Sequence, residues 1–391
     1  MPRTGEMGNA TLTVKKIVIM TGEASGDLHG ANLAREIWKQ DPAAAIYGVG
    51  SKQMREAGIR MLADASLISV VGITEVLTHI RPIYGVYAKL KKFLREGRPD
   101  LLILIDFPDF NIMLGKAAQK LGIPVLYYIS PQVWVWRKGR IKKIARLVKA
   151  MIVVFPFEVP LYEKAGVDVR FVGHPLTDVV KSDYSQLGAK QALGLDPGKR
   201  IVALLPGSRR GEIANLLPDM LGAAQLLMSR FQDLQFVLPV APTLDMSYVR
   251  FFVEQNTVPV HLVEGRVYDV LRASDTAMVT SGTATLETGL MGVPMVIVYR
   301  ISALTYYFLT KLVSGIKHVG LVNIVAGKRL VPELIQQEST PRNIADAVTK
   351  MLDEPIYYRQ IREGFAEVRK LLGDAGASAR AAAVVMEMLA K

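Results

Sequence analysis

Short runs of aliphatic and β-branched residues alternate along this chain with longer stretches in which apolar residues recur every three or four positions. In the first half the runs are Lys15 to Met20, Ile46 to Val49, Leu101 to Asp106, Val125 to Ile129, Met151 to Phe155 and Arg170 to Val172. Each is nearly all apolar and bounded by Gly, Pro or Asp, the pattern of parallel strands covered on both faces by helices. A polar stretch, Lys181 to Lys199, interrupts the alternation, which restarts with Ile201 to Leu205, Leu234 to Leu238, Val258 to Leu262, Ala277 to Val279 and Pro294 to Val298. Beyond Thr340 only helical periodicity remains, over Asn343 to Leu352, Ile356 to Leu372 and Ala375 to Leu389. The expectation is an α/β chain of two Rossmann-like, doubly wound domains. Residues 1–14 form an extension, 15–185 the first domain, 186–354 the second, and 355–391 terminal helices that pack back over the junction.

Composition narrows the chemistry. The 391 residues, half of them apolar, supply two cores. There is no cysteine, which excludes disulfides, thiol catalysis and Cys-ligated metal sites and leaves the work to oxygen and nitrogen groups. His29, His79, His174, His261 and His318 do not fall at metal-ligand spacing, so no metal is expected. The formal net charge of +12 calls for anionic partners such as a nucleotide, a phosphorylated lipid, a membrane surface or nucleic acid. No apolar run reaches the roughly 18 residues that a membrane-spanning helix needs. Met1 to Thr13 lacks the hydrophobic region of a signal peptide, which predicts a cytoplasmic protein.

In open α/β sheets ligands collect outside the carboxyl ends of the strands, so the segments that follow strands carry the candidate chemistry. After the first strand come Gly22, Glu23, Ala24, Ser25, Gly26 and Asp27, a small-residue turn into a helix where a phosphate or sugar fits against backbone N–H groups. On the turn alone, an ordinary strand-to-helix turn capped by Ser25 or Asp27 is the favoured reading, and the absence of the dinucleotide fingerprint disfavours a nicotinamide cofactor. After Leu101 to Ile105 stand Asp106 and, three residues on, Asp109. Asp106, flanked by aromatics that reduce its hydration, is the candidate general base for an acceptor hydroxyl, whereas Asp109 reads as a helix cap. After Ile201 to Leu205, Pro206, Gly207, Ser208 and Arg209 form a turn whose guanidinium and N–H groups suit a diphosphate. After the fourth strand of the second half, Ser281, Gly282, Thr283, Ala284 and Thr285 open a helix toward a phosphate, and Glu287, one turn inside, is placed to accept from ribose hydroxyls.

The ordered set of motifs is more specific than any member. GEASGD at 22–27, DFPDFN at 106–111, SPQVWVWR at 130–137, GHP at 173–175, LLPGSRRGE at 204–212, SGTATLE at 281–287 and LVNIVAG at 321–327 together resemble the lipid-A-disaccharide synthase family over nearly the whole chain after residue 14. The resemblance implies a GT-B glycosyltransferase, two domains facing across a cleft, and an inverting, metal-independent transfer with no cofactor. UDP-2,3-diacylglucosamine is the implied donor and 2,3-diacylglucosamine 1-phosphate (lipid X) the acceptor, giving a β-1,6-linked disaccharide and UDP. It further implies Asp106 as base, Arg209 as diphosphate clamp, Glu287 as ribose partner and Asn323 as another active-site group. Ala24 where some relatives have Thr, and Arg210 where a small residue is common, leave acyl preference open. Other GT-B enzymes of UDP-sugars, such as the peptidoglycan lipid-linked N-acetylglucosaminyltransferase or UDP-N-acetylglucosamine 2-epimerase, are the nearest alternatives. A nucleotide-dependent membrane adaptor without catalytic activity is the alternative from another class.

A lipid substrate calls for further surface features, and two segments offer them. Between Leu67 and Tyr87, the residues Val70, Val71, Val76, Leu77 and Ile80 with Ile68, Ile73, Ile83 and Tyr84 form an apolar face followed by Lys89, Lys91, Lys92 and Arg95. That suits an interfacial helix or, equally, a core helix. Behind Trp134 and Trp136, Arg137, Arg140, Lys142, Lys143, Arg146 and Lys149 form a basic stretch whose other side carries Ile141, Ile144, Ala145 and Val148. An anionic membrane surface or the acceptor phosphate is the expected partner, nucleic acid is not supported by the family, and a homodimer is left open. The protein is therefore expected to lie against the inner membrane from the cytoplasmic side.

Overall fold

The computed structural model describes residues 14–68, 73–131, 139–300 and 318–390. The chain divides into two compact units, Met1–Pro175 with Gly376–Lys391, and Leu176–Ala375.

The first unit is a seven-stranded, wholly parallel sheet in the order β3-β2-β1-β4-β5-β6-β7. Its strands are β1 (Lys16–Met20), β2 (Ala45–Gly50), β3 (Arg60–Asp64), β4 (Leu101–Ile105), β5 (Val125–Tyr128), β6 (Ala150–Val153) and β7 (Asp168–Phe171). Every residue of β4, β5 and β6 is buried, as expected of central strands sandwiched by helices, where burying each Leu or Ile contributes about 1.5–3 kcal/mol over leaving it exposed. β3 was not apparent in the sequence, because Arg60–Asp64 is half-exposed beside β2 and carries charge at both ends. The terminal helix Ala377–Ala390 packs against the helix Ala24–Gln40 of this unit, and Arg380 Nε donates to the Val172 carbonyl at 2.8 Å.

The second unit repeats the plan with six parallel strands in the order β10-β9-β8-β11-β12-β13. These are β8 (Arg200–Leu205), β9 (Leu234–Val240), β10 (Val260–Glu264), β11 (Thr276–Thr280), β12 (Met295–Tyr299) and the three-residue β13 (Glu333–Ile335), the last too short to announce itself. The helices Pro341–Asp353 and Pro355–Leu372 belong to this unit. Each begins with proline, whose missing N–H costs nothing in a first turn.

Both strand orders reverse direction once, between β1 and β4 in the first unit and between β8 and β11 in the second. At such a reversal the helices leave to opposite faces and a crevice opens at the carboxyl edge. Four of the motifs singled out above, those at 22–27, 106–111, 204–212 and 281–287, lie at the carboxyl ends of these four strands.

Candidate active site

In the first unit the crevice is lined from β1 and β4. Asp106 and Phe107 both adopt left-handed backbone, with φ of 43° and 45°, and on the neighbouring strand Ile129 does the same at 65°. Such conformations cost about 1–3 kcal/mol each for residues with side chains and persist only where the surroundings impose them. The Asp106 N–H donates to the Ile129 carbonyl at 3.3 Å. The Asp106 carbonyl accepts from Asn111 Nδ2 at 2.7 Å and from the Tyr127 hydroxyl at 2.5 Å. Phe107 lies over Gly22, where an added Cβ would stand 2.5 Å from the ring, so this turn admits no side chain at 22. Burial first, and then the neighbouring Glu23 charge, raise the Asp106 carboxyl to about 7, the range of a working general base near neutrality.

Asp27 has a different task from the one expected of it. It is 3% exposed, and its carboxylate accepts from the N–H groups of Ser51 (2.6 Å), Gln53 (2.8 Å) and Met54 (3.3 Å). It caps the helix Lys52–Glu56, 24 or more residues away in sequence, and not the helix Ala24–Gln40 in which it lies, which begins at Glu23 without a side-chain cap. Ser25 is exposed and Gly26 buried in the first turn of that helix.

In the second unit the turn after β8 is closed on itself. Glu212 accepts from the N–H groups of Ser208 (2.9 Å) and Arg209 (3.2 Å), and the Arg209 guanidinium reaches its other oxygen at 3.3 Å. Gly207, at φ 124°, permits this return, since a Cβ there would lie 2.2 Å from the Glu212 oxygen. The N–H groups expected to face a diphosphate are thus held by a carboxylate of the chain, while the Arg209 side chain remains 54% exposed.

After β11, Gly282 caps the helix Thr283–Leu290, with Thr283 exposed and Ala284 half-buried. Ser281 Oγ donates to the Val319 carbonyl at 3.0 Å. Thr285, expected to face a phosphate, is fully buried, and its hydroxyl donates to the Gly282 carbonyl while accepting from Val322 N. Glu287 is half-buried and accepts from the Tyr268 hydroxyl at 2.9 Å. Burial raises its carboxyl and the Tyr268 bond partly offsets the rise. Asn323, expected as another active-site polar group, makes its hydrogen bonds within the fold. It is fully buried, its Nδ2 donates to the Val331 carbonyl and to Glu333, and its Oδ1 accepts from Leu330 and Val331. Both amide protons and both carbonyl lone pairs are therefore committed. With Glu333, which also accepts from Val319 and Gly320, it ties the segment around Leu321–Ala326 to β13.

For the surface segments, Val70, Val71 and Arg137 lie outside the described residues. Val76, Leu77 and Ile80 belong to the helix Ile73–Gly97, but their side chains lie outside what is described. Further along that helix Val86, Leu90 and Leu94 are buried in the core whereas Tyr84 is 68% exposed. Arg140 pairs with Asp109 and is therefore not a free cation. Lys142 and Lys143 are exposed, and Ile144 on the opposite side of the short helix Gly139–Ala145 is buried. Among the described residues no helix is long and apolar enough to cross a membrane, and no group of three His, Asp or Glu side chains comes together as for a metal ion.

Tyr127 and Tyr268 contact the candidate groups without having been singled out in the sequence, and Asn111 and Glu212 stand inside quoted motifs without an assigned role. For Tyr127 the available signal was the pair of tyrosines closing an apolar strand, because a buried hydroxyl needs a partner.

The profile of a family described as lipid-A-disaccharide synthetase matches residues 17–384. The lipid-A-disaccharide synthase of Geobacter metallireducens is 51% identical over 377 residues, covering 96% of this chain and 98% of that protein. The crystal structure of UDP-GlcNAc 2-epimerase from Neisseria meningitidis bound to UDP-GlcNAc is similar with a TM-score of 0.66 at 15% identity, over 95% of this chain and 100% of that one. CalG4, the calicheamicin glycosyltransferase, is similar with a TM-score of 0.63 at 16% identity, over 97% and 99%. These structural likenesses establish the fold, the paired Rossmann-like arrangement of GT-B enzymes.

Proposed function

Because the chain belongs to the lipid-A-disaccharide synthase family, we propose that it transfers 2,3-diacylglucosamine from its UDP derivative to 2,3-diacylglucosamine 1-phosphate without a metal or other cofactor. The 6-hydroxyl oxygen of the acceptor forms a bond to the anomeric carbon as the bond to UDP breaks. The hydroxyl proton passes to Asp106, and UDP departs with the bonding pair. One displacement inverts the anomeric centre and yields the β-1,6 linkage.

The observation that carries this reading is the Asp106 carboxyl at the strand-order reversal of the first sheet, held in a left-handed turn after β4 and raised to about 7 by burial and by Glu23. Near neutrality it is both substantially ionised and basic enough to accept a proton. In the second unit Arg209 is the group for the departing diphosphate, Ser281, Thr283 and the N–H groups opening the helix Thr283–Leu290 suit a phosphate, and Glu287 suits the ribose hydroxyls. The acyl chains place the enzyme on the cytoplasmic face of the inner membrane. Lys142 and Lys143 are its contacts with anionic lipid there, each contributing about 1 kcal/mol.

Mass spectrometry of products from the acylated donor and acceptor tests the assignment, with UDP-N-acetylglucosamine as the competing donor. Turnover of the latter alone overturns it. In the same assay Asp106→Ala abolishes transfer while UDP binding persists, and undiminished transfer removes Asp106 as the base.

A further inference from the structure

The carbonyl of Asp106 stands at the end of a fully buried strand and, because its residue is left-handed, leaves the sheet ladder. A buried carbonyl without a ladder partner must find donors elsewhere. Two side chains supply them from different elements. Tyr127, 1% exposed on β5, donates through its hydroxyl, and Asn111, fully buried on the helix Pro108–Lys120, donates through Nδ2 to both the Ile105 and the Asp106 carbonyls, at 3.1 and 2.7 Å. Together they grip the last peptide of β4 and the first of the turn.

We propose that Tyr127 and Asn111 are positioning residues for the transfer reaction, which hold Asp106 and Phe107 in their left-handed conformation and thereby fix where the Asp106 carboxyl presents itself. The inference rests on the reading of Asp106 as the base. An ordinary strand end would satisfy the same carbonyl without strain. Here consecutive left-handed residues, each costing about 1–3 kcal/mol, sit at the one carboxyl singled out for proton transfer, the kind of place where backbone strain collects.

The grip is independent of pH across the working range. Burial, and then the Asp106 charge, push the Tyr127 phenol well above its usual value, so it remains an O–H donor. Among the described residues, the titratable and charged groups facing this corner are Glu23, at the start of the helix Ala24–Gln40, which raises Asp106, and Tyr162 and Arg140, which act on Tyr127. Phe107, stacked over Gly22, closes the turn from β1.

Tyr127→Phe keeps the ring and removes only the donor. The expected result is a kcat about ten- to hundredfold lower with KM for donor and acceptor nearly unchanged, as for a misplaced catalytic group. The acidic limb of the pH–rate profile moves down by about half a unit as the carboxyl relaxes toward water. Asn111→Leu gives the same signature, and decides the matter if the Tyr127 variant does not fold. A variant that lowers the melting temperature but retains the wild-type kcat and acidic limb overturns the proposal and leaves the base intact. Full activity in Asp106→Ala overturns the base reading itself, and the positioning role with it.

Discussion

The turns at the carboxyl edges of the two sheets occupy equivalent topological positions and have opposite electrostatic character. After β4 the chain buries a carboxyl beside a second acid, Glu23, and raises its affinity for a proton. After β8 and β11 it offers guanidinium, hydroxyl and helix-opening N–H groups. Where Glu212 occupies two of those N–H groups, it is an anion that fills the position. On the proposed function, one fold plan thus yields a proton acceptor in one copy and an anion cradle in the other. Topology fixes where ligands collect, and a few side chains fix which charge is welcome there.

The sharpest way to break this comparison is to neutralise the acid. Asp106→Asn should lower kcat by about a thousandfold, in the range ascribed to a lost general base, while UDP affinity measured by calorimetry stays unchanged. Asparagine accepts left-handed backbone readily, so the turn should survive. The raised folded-state value means that stability is full below the unfolded carboxyl range near 4 and is lost as pH rises toward about 7. Asp106→Asn should therefore be more resistant to denaturant than the wild type at pH 8, by up to about 4 kcal/mol, with the difference vanishing below pH 4.

Removing the cation tests the other side. Arg209→Met should weaken UDP binding by about tenfold to a hundredfold, the range expected for a lost charge-assisted contact, with Arg209→Lys recovering part of it because ammonium cannot bridge two oxygens. The acidic limb of the Asp106 profile should not move in either variant. A smaller effect is expected from Glu23→Gln, which deletes the like charge. The acidic limb should shift to lower pH, by less than a unit because burial is the larger cause. The smallest is Glu287→Gln, with a rise in donor KM of about fivefold to tenfold, since one neutral acceptor remains for the ribose. A larger effect on kcat than on KM would show that Glu287 acts on the reacting atoms instead.

Much of this was legible in the chain. The central strands are continuous apolar runs because parallel strands are covered on both faces, and such a run can be read without knowing its neighbours. The turns after β1, β4, β8 and β11 declared themselves by glycine, by small hydroxyl residues and by charge following an apolar run. β3 and β13 did not, because an edge strand of mixed polarity and a three-residue strand owe their existence to the partner that pairs with them.

Side-chain allegiance was equally hidden. Asp27, Thr285 and Asn323 are polar residues inside or beside strand-end motifs, and their types suit a ligand as well as they suit a scaffold. Their partners lie at Ser51 to Met54, at Val322, and from Leu330 to Glu333, and no local pattern announces which polar group will be buried against which.

By itself the sequence determined that two doubly wound sheets form and which four strand ends hold the candidate chemistry, because hydrophobic periodicity and turn composition are local quantities. Only the tertiary structure decided that burial and Glu23 raise the Asp106 carboxyl, that Glu212 returns to its own turn, and that Asn323 makes its hydrogen bonds within the fold. Burial, charge proximity and hydrogen-bond closure arise between residues far apart in the chain, and they exist only once it is folded.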